Sequence, residues 1–284
     1  MVEMMKKNRE YSIKELEVIA SKIRGSLVKI THEGKAAHIG SALSCIDILV
    51  VLYWKVLNLD KDNITRHDRN RFIMSKGHGI GALYATLGFK KVFNKELLKA
   101  YCRPGSVLEE HPGPESPAGV EVASGSLGHG LSLGVGMALA GKMQKLDYTV
   151  TVLLSDGECN EGSVWEAAMY AKKRSLNRLC AIIDFNKWQA TGRSCEVSGL
   201  EPFVDKWKAF GWDTYEIDGN SMSELVKTFK TIDNKQNMLS VVVAHTVKGK
   251  GISFMEDDNN WHYRVPDKKD VQMALKELER TNDE

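Results

Sequence analysis

Alternating apolar and polar positions divide the chain into segments of helix period and strand period. Charges interrupt every apolar stretch of residues 1–25, MVEMMKKNREYSIKELEVIASKIRG, so an amphipathic helix is predicted there. The segment 45–57, CIDILVVLYWKVL, is apolar nearly all round, which predicts a helix either packed deeply or covered at a subunit interface, with Tyr53 and Trp54 as core aromatics. RFIM at 71–74, TVTVLLS at 149–155, RLCAIIDF at 178–185, WDTYEI at 212–217 and LSVVVA at 239–244 are short apolar or β-branched runs that predict strands. Helical segments lie between them. Residues 128–145 carry Gly130, Gly134, Gly136, Ala138 and Gly141, as a tightly packed buried helix would. EGSVWEAAMYAKKR at 161–174 has helix period, a further helix starts near Ser221, and DKKDVQMALKELERTNDE is a charged amphipathic helix. Strands alternating with helices imply parallel pairing through right-handed crossovers. The expected fold is therefore α/β, a doubly wound, mostly parallel sheet with helices on both faces, in a single domain over 1–284.

One stretch breaks this alternation. Residues 104–128 hold Pro104, Pro112, Pro114 and Pro117 together with Gly105, Gly113, Gly119, Gly125 and Gly128. A loop of that length inside a compact domain is usually functional, and no low-complexity or charge run marks it as a linker. Composition adds exclusions: 43% hydrophobic and 27% charged residues fit a folded chain, and a formal charge of +2 lacks the basic excess of a nucleic-acid binder. No window approaches the ~18 to 20 apolar residues of a membrane span, and no secretory signal opens the chain. The five cysteines form no CxxC pair, which fits a reducing cytoplasm.

In open α/β sheets ligands sit beyond the carboxyl ends of the strands. The strand at 149–155 runs into SDGECNEG, with Asp156 and Gly157, and the strand at 178–185 runs into Asn186 and Trp188. Asp156 and Asn186 stand thirty residues apart, about one strand–helix–strand unit, so both turns can lie side by side. A carboxylate, an amide oxygen and a backbone carbonyl are hard donors that suit Mg²⁺ completed by phosphate oxygens and water. A diphosphate would also meet free N–H groups at the helix start near Glu161, with Gly157 allowing close approach. Either residue alone is ordinarily a helix cap or a turn former; the spacing of the pair favours the metal. The chain has no GxxxxGK[ST] loop, and GHGLSLGVG is not a GxGxxG that follows a strand.

The DG at one strand end, with N thirty residues on, resembles the thiamine diphosphate and Mg²⁺ signature. KGHG at 76–79, EHPG at 110–113, GVEVASGSLGHGLSLGVGMALA at 119–140, SDGECNEGSVWEAAMYA at 155–171, KGKGISFME at 248–256 and WH at 261–262 resemble, in order, the N-terminal domain of transketolases. The resemblance implies Asp156, Asn186 and the Trp188 carbonyl as Mg²⁺ ligands and Gly157 and Glu158 as cofactor contacts. It places His38, His78, His111 and His262 along the channel to the thiazolium ring and diphosphate, His78 and His262 also touching the cofactor. Ser126, Leu127 and Gly128 fall in the loop that meets the aminopyrimidine, and Glu161 resembles a glutamate linking the two active sites of a dimer, although an acidic helix start explains it nearly as well. His129 stands where the family usually has glutamine, Ser155 where it has glycine, and WHYRVP replaces the common WHG.

The implied activity is transfer of a two-carbon ketol unit from a ketose, or ketose phosphate, to an aldose. The second transketolase domain is not in this sequence, so a separate C-terminal subunit is expected to supply the pyrimidine pocket, in an α2β2 assembly. Rival expectations are a deoxyxylulose phosphate synthase-like subunit, the α subunit of a 2-oxoacid dehydrogenase, or a catalytically silent regulatory subunit.

Overall fold

The computed structural model describes residues 10–235 and 238–283; residues 1–9 of the predicted N-terminal helix lie outside the described residues. Helix α1 (Ile13–Gly34) starts at a capping box, in which Ser12 Oγ accepts from the Glu15 amide at 3.3 Å and the Glu15 carboxylate accepts from the Ser12 amide at 2.9 Å. There follow α2 (Ile39–Ser44), α3 (Ile46–Val51), β1 (Arg71–Met74), α4 (Ile80–Phe89) and α5 (Gly130–Gln144). Beyond them come β2 (Val150–Ser155), α6 (Gly162–Lys173), β3 (Leu179–Phe185), α7 (Ser194–Val197) and α8 (Phe203–Ala209). The chain continues through β4 (Asp213–Asp218), α9 (Met222–Lys235), β5 (Ser240–His245) and α10 (Lys268–Asp283).

All five described strands are parallel, in the order β1-β2-β3-β5-β4. The registers set Met74 beside Leu153, Ser155 beside Asp184 and Phe185 beside His245, so their carboxyl ends open onto one edge. Side chains alternate between two cores, as the two-residue strand period demands. Phe72, Leu153, Ile182 and Val242 join α1, α2, α3, α4 and α9 on one face; Ile73, Val152, Leu154, Ile183 and Val243 join α5, α6 and α8 on the other. The doubly wound arrangement is thus present, with strands buried on both faces except β4 at the edge.

One alternative is decided and one expectation changes. The apolar helix at 45–57 is α3 continued by a wider π-type turn (Leu52–Val56), and Ile46, Ile48, Leu49, Val50 and Val51 are fully buried by the chain's own helices. It therefore needs no partner or second copy to cover it. Each of those side chains contributes ~1.5–3 kcal/mol of burial, and Leu49→Ala would cost ~2–5 kcal/mol. Helix α5 is not buried all round: Gly134 and Ala138 face the sheet, while Leu133 and Met143 are exposed. Its glycines serve one close approach, since a Cβ on Gly134 would lie 2.5 Å from Val152. Residues 104–128 contain neither helix nor strand, and no helix among the described residues is long and apolar enough to cross a membrane.

Candidate functional site

The carboxyl edge of the sheet gathers charged groups that have no exposure to water. Asp156, Glu158, Asp184, Lys76 and Lys248 are each 0% exposed. Burying a charge costs several kcal/mol unless it is paired and hydrogen-bonded, so these groups sit in a network. Lys76, just past β1, donates to Asp184 and to the Ser41 carbonyl at 2.8 Å. Asp184 also accepts from Thr246 and from Ser44 Oγ at 2.6 Å.

Asp156 follows β2. Its Oδ2 accepts from the Lys187 amide at 2.9 Å and from Ser194 Oγ at 2.7 Å, and its Oδ1 accepts from the Gly157 amide at 2.9 Å. Lys187 is the residue after Asn186, so the carboxylate and the amide lie on adjoining turns as their spacing implied. Asn186 is buried, and its Oδ1 accepts from the Trp188 amide at 3.1 Å. Trp188 opens a narrow hairpin by bridging to Arg193; its indole donates to Asp257 at 2.8 Å, and the Arg193 guanidinium lies 3.8 Å above its ring. Burial pushes the Asp156 carboxyl up to about 6 against the Ser194 hydrogen bond, with Asp184 adding repulsion. A divalent cation would reverse that cost. Among the described residues no three His, Cys, Asp or Glu side chains converge as metal ligands, so a metal here would rely on Asp156 with amide and carbonyl oxygens. That donor set fits Mg²⁺.

The carboxylate of Glu158 is turned to the protein. It accepts from Ser75, from the Gly128 amide at 2.9 Å and from the Ser155 amide at 3.3 Å. It thereby ties the loop 124–128 to the ends of β1 and β2. Gly128 has φ +84°, and a Cβ there would stand 2.6 Å from Glu161. The loop leaves Ser126 exposed and Leu127 half-buried. Glu161 is the exposed N-cap residue of α6, with no side-chain capping bond, and lies against Gly128. His129 is exposed, its Nδ1 3.1 Å from the Ser126 carbonyl oxygen.

The four other histidines come together. The His38 ring centroid lies 5.6 Å from His78, 5.5 Å from His111 and 4.9 Å from His262. Each arrives on a different element: His38 before α2, His78 in the turn after β1, His111 in the long loop and His262 in a 3-10 turn (Asn259–His262). His38 holds a left-handed conformation, φ 63°, costing ~1–3 kcal/mol, and its amide donates to the His262 carbonyl at 2.8 Å. Burial lowers His38, His78 and His262, the last to about 3, with Lys248 the next cause for His262. Lys248, itself lowered to about 8 by burial and then by Lys76, stands 3.0 Å from His262 Nδ1. With the lysine as donor, neutral His262 keeps its proton on Nε2. Burial thus favours the neutral imidazole at His38, His78 and His262, so each ring offers one donor and one acceptor nitrogen to a bound group.

Lys76, Lys248 and Asp184 escaped the sequence reading. One signal was available: an aspartate inside the otherwise apolar strand RLCAIIDF calls for a buried cation.

Residues 16–281 match the family model of the transketolase, thiamine diphosphate binding domain. The chain belongs to that transketolase family. It is 44% identical over 266 residues to an apulose-4-phosphate transketolase subunit of Phocaeicola vulgatus, covering 94% of each chain. It is 40% identical over 243 residues to the 6-deoxy-6-sulfo-D-fructose transketolase subunit SqwG of a Clostridium species, covering 86% of this chain and 88% of that one. Among solved structures, transketolase from Campylobacter jejuni superposes with a TM-score of 0.88 at 25% identity. That match covers 95% of this chain and 43% of the Campylobacter one, so this transketolase homologue spans less than half of the solved enzyme. The relationship supports a transketolase-type ketol-transfer subunit.

Proposed function

We propose that this chain is the thiamine diphosphate- and Mg²⁺-holding subunit of a two-chain transketolase, transferring a two-carbon ketol unit from a ketose or ketose phosphate to an aldose. The observation that carries the reading is the convergence, at one sheet edge, of the Asp156–Asn186–Trp188 turns with His38, His78, His111 and His262. Asp156, the Asn186 amide oxygen and the Trp188 carbonyl hold the ion; Gly157 and the cations Lys76 and Lys248 favour the diphosphate; Ser126, Leu127 and Gly128 present backbone groups to the aminopyrimidine. When bound, the cofactor's thiazolium ring supplies the carbon nucleophile and electron sink of the transfer. His78 and His262 orient the cofactor, and His38, His111 and His262 meet substrate hydroxyls and exchange protons with them. Glu158 acts at one remove by fixing the loop.

The partner is a C-terminal transketolase subunit, in an α2β2 assembly with Glu161 near the junction of two sites. The related subunits are named for a ketose phosphate and a sulfonated ketose, so the donor here is a ketose with an anionic far end. Co-expression with such a subunit, with thiamine diphosphate and Mg²⁺, should give a stable complex with ketose-dependent transfer. Pyruvate decarboxylation by the complex would instead favour the other thiamine diphosphate enzymes, and a complex inert toward both substrates would favour a silent subunit.

A further inference from the structure

Among the described residues, four buried polar side-chain atoms lack a hydrogen-bond partner: His38 Nδ1, Tyr53 Oη, Gln189 Nε2 and Trp207 Nε1. Tyr53 and Trp207 belong to the two hydrophobic cores. His38 and Gln189 lie at the carboxyl edge of the sheet, and His38 already has a place in the histidine cluster. Gln189 has none.

Its setting is rigid. The Gln189 amide donates to the Gly192 carbonyl at 2.9 Å, and the flanking Trp188 and Arg193 pair across the hairpin. The side chain folds back over Gly157: a Cβ there would lie 3.0 Å from Gln189 Cγ and 3.2 Å from Cδ. On the other side the Ala190 carbonyl accepts from Asn259 at 3.1 Å, and Asn259 in turn accepts from Lys248 at 2.6 Å. The backbone beside Gln189 is thus tied through Asn259 to Lys248, while its carboxamide lies over the Asp156–Gly157 turn. A buried amide N–H₂ without an acceptor is a standing cost that a ligand oxygen removes. Over the Gly157 turn, where the cofactor reading above puts the diphosphate, that oxygen belongs to an anion.

We infer that Gln189 is a positioning residue whose Nε2–H₂ donates to a diphosphate oxygen. This rests on the cofactor reading above. Calorimetry on the full chain tests it, with Mg²⁺ plus inorganic pyrophosphate and Mg²⁺ plus thiamine diphosphate as probes, comparing wild type with Gln189→Met and Gln189→Glu. Methionine keeps the length and removes the donor; glutamate keeps the shape and repels the anion. The expected result is affinity for both probes about tenfold weaker in Gln189→Met and weaker still in Gln189→Glu, with circular dichroism melts unchanged. A Gln189→Met variant that binds both probes as wild type does overturns the inference, whatever the glutamate variant does. A wild-type chain that binds neither probe overturns the cofactor reading, and this inference with it.

Discussion

Asp156, Asn186, Asp184 and Lys76 sit at 0 to 3% exposure, tied to the backbone and to one another, whereas His111 and Tyr263 stand open and the histidines meet mainly ring to ring. The deep half is held in place by the fold that surrounds it. The open half is assembled from four separate elements and keeps an unpartnered nitrogen on His38. On the proposed function, the difference teaches that fixing an ion and a diphosphate needs geometry set in advance, while exchanging protons needs groups with free edges.

Substitutions should separate the halves. Asp184→Ala leaves Lys76 buried without its counter-ion, so urea denaturation should show a loss of ~3–5 kcal/mol, the largest effect in the molecule. Asp156→Ala removes the proposed charged ligand: Mg²⁺-dependent cofactor affinity should fall about a hundredfold or more by calorimetry, with little loss of folding stability. If stability collapsed as in Asp184→Ala, the ion site and the structural network would be one unit. His262→Ala should spare cofactor binding and lower turnover of the reconstituted enzyme by about ten- to a hundredfold, which stopped-flow or coupled assays resolve.

Acid should act on the histidine cluster. The folded-state value of His262, about 3, lies below its ordinary 6.5, so the unfolded chain binds the extra proton and stability falls as pH drops below 6.5. Its share is ~1 kcal/mol between pH 6.5 and 5 after discounting for solvent screening, and denaturation midpoints of His262→Asn should lose that much of the slope. Smallest is Asp257→Ala, which frees Trp188 and Arg193 at the surface: stability should stay within ~1 kcal/mol of wild type while Mg²⁺ affinity drops a few-fold.

Much of this was legible beforehand because the strands are short apolar runs bounded by turns. Each of the five starts and ends within a residue of its expected span, and the order of motifs brought His38, His78, His111 and His262 to one edge. What escaped were the buried cations. Lys76 and Lys248 look like any surface lysine until tertiary packing encloses them, and only the partners Asp184 and Asn259, distant in sequence, reveal their role. For the apolar helix α3 the sequence left deep packing and a subunit interface both open, because its period shows how much surface must be covered, not what covers it. Glu158 matched a family contact by position, yet its carboxylate bonds to Gly128, Ser75 and Ser155, a destination no local pattern encodes.

The central claim is tested most directly by a crystal of this chain with its partner, grown with thiamine diphosphate and with Mn²⁺ in place of Mg²⁺, measured for anomalous scattering. The account predicts one strong peak within coordination distance of an Asp156 carboxylate oxygen, Asn186 Oδ1 and the Trp188 carbonyl, touching the diphosphate. A peak at any other group of residues, or a bound cofactor with no ion between it and Asp156, would contradict it.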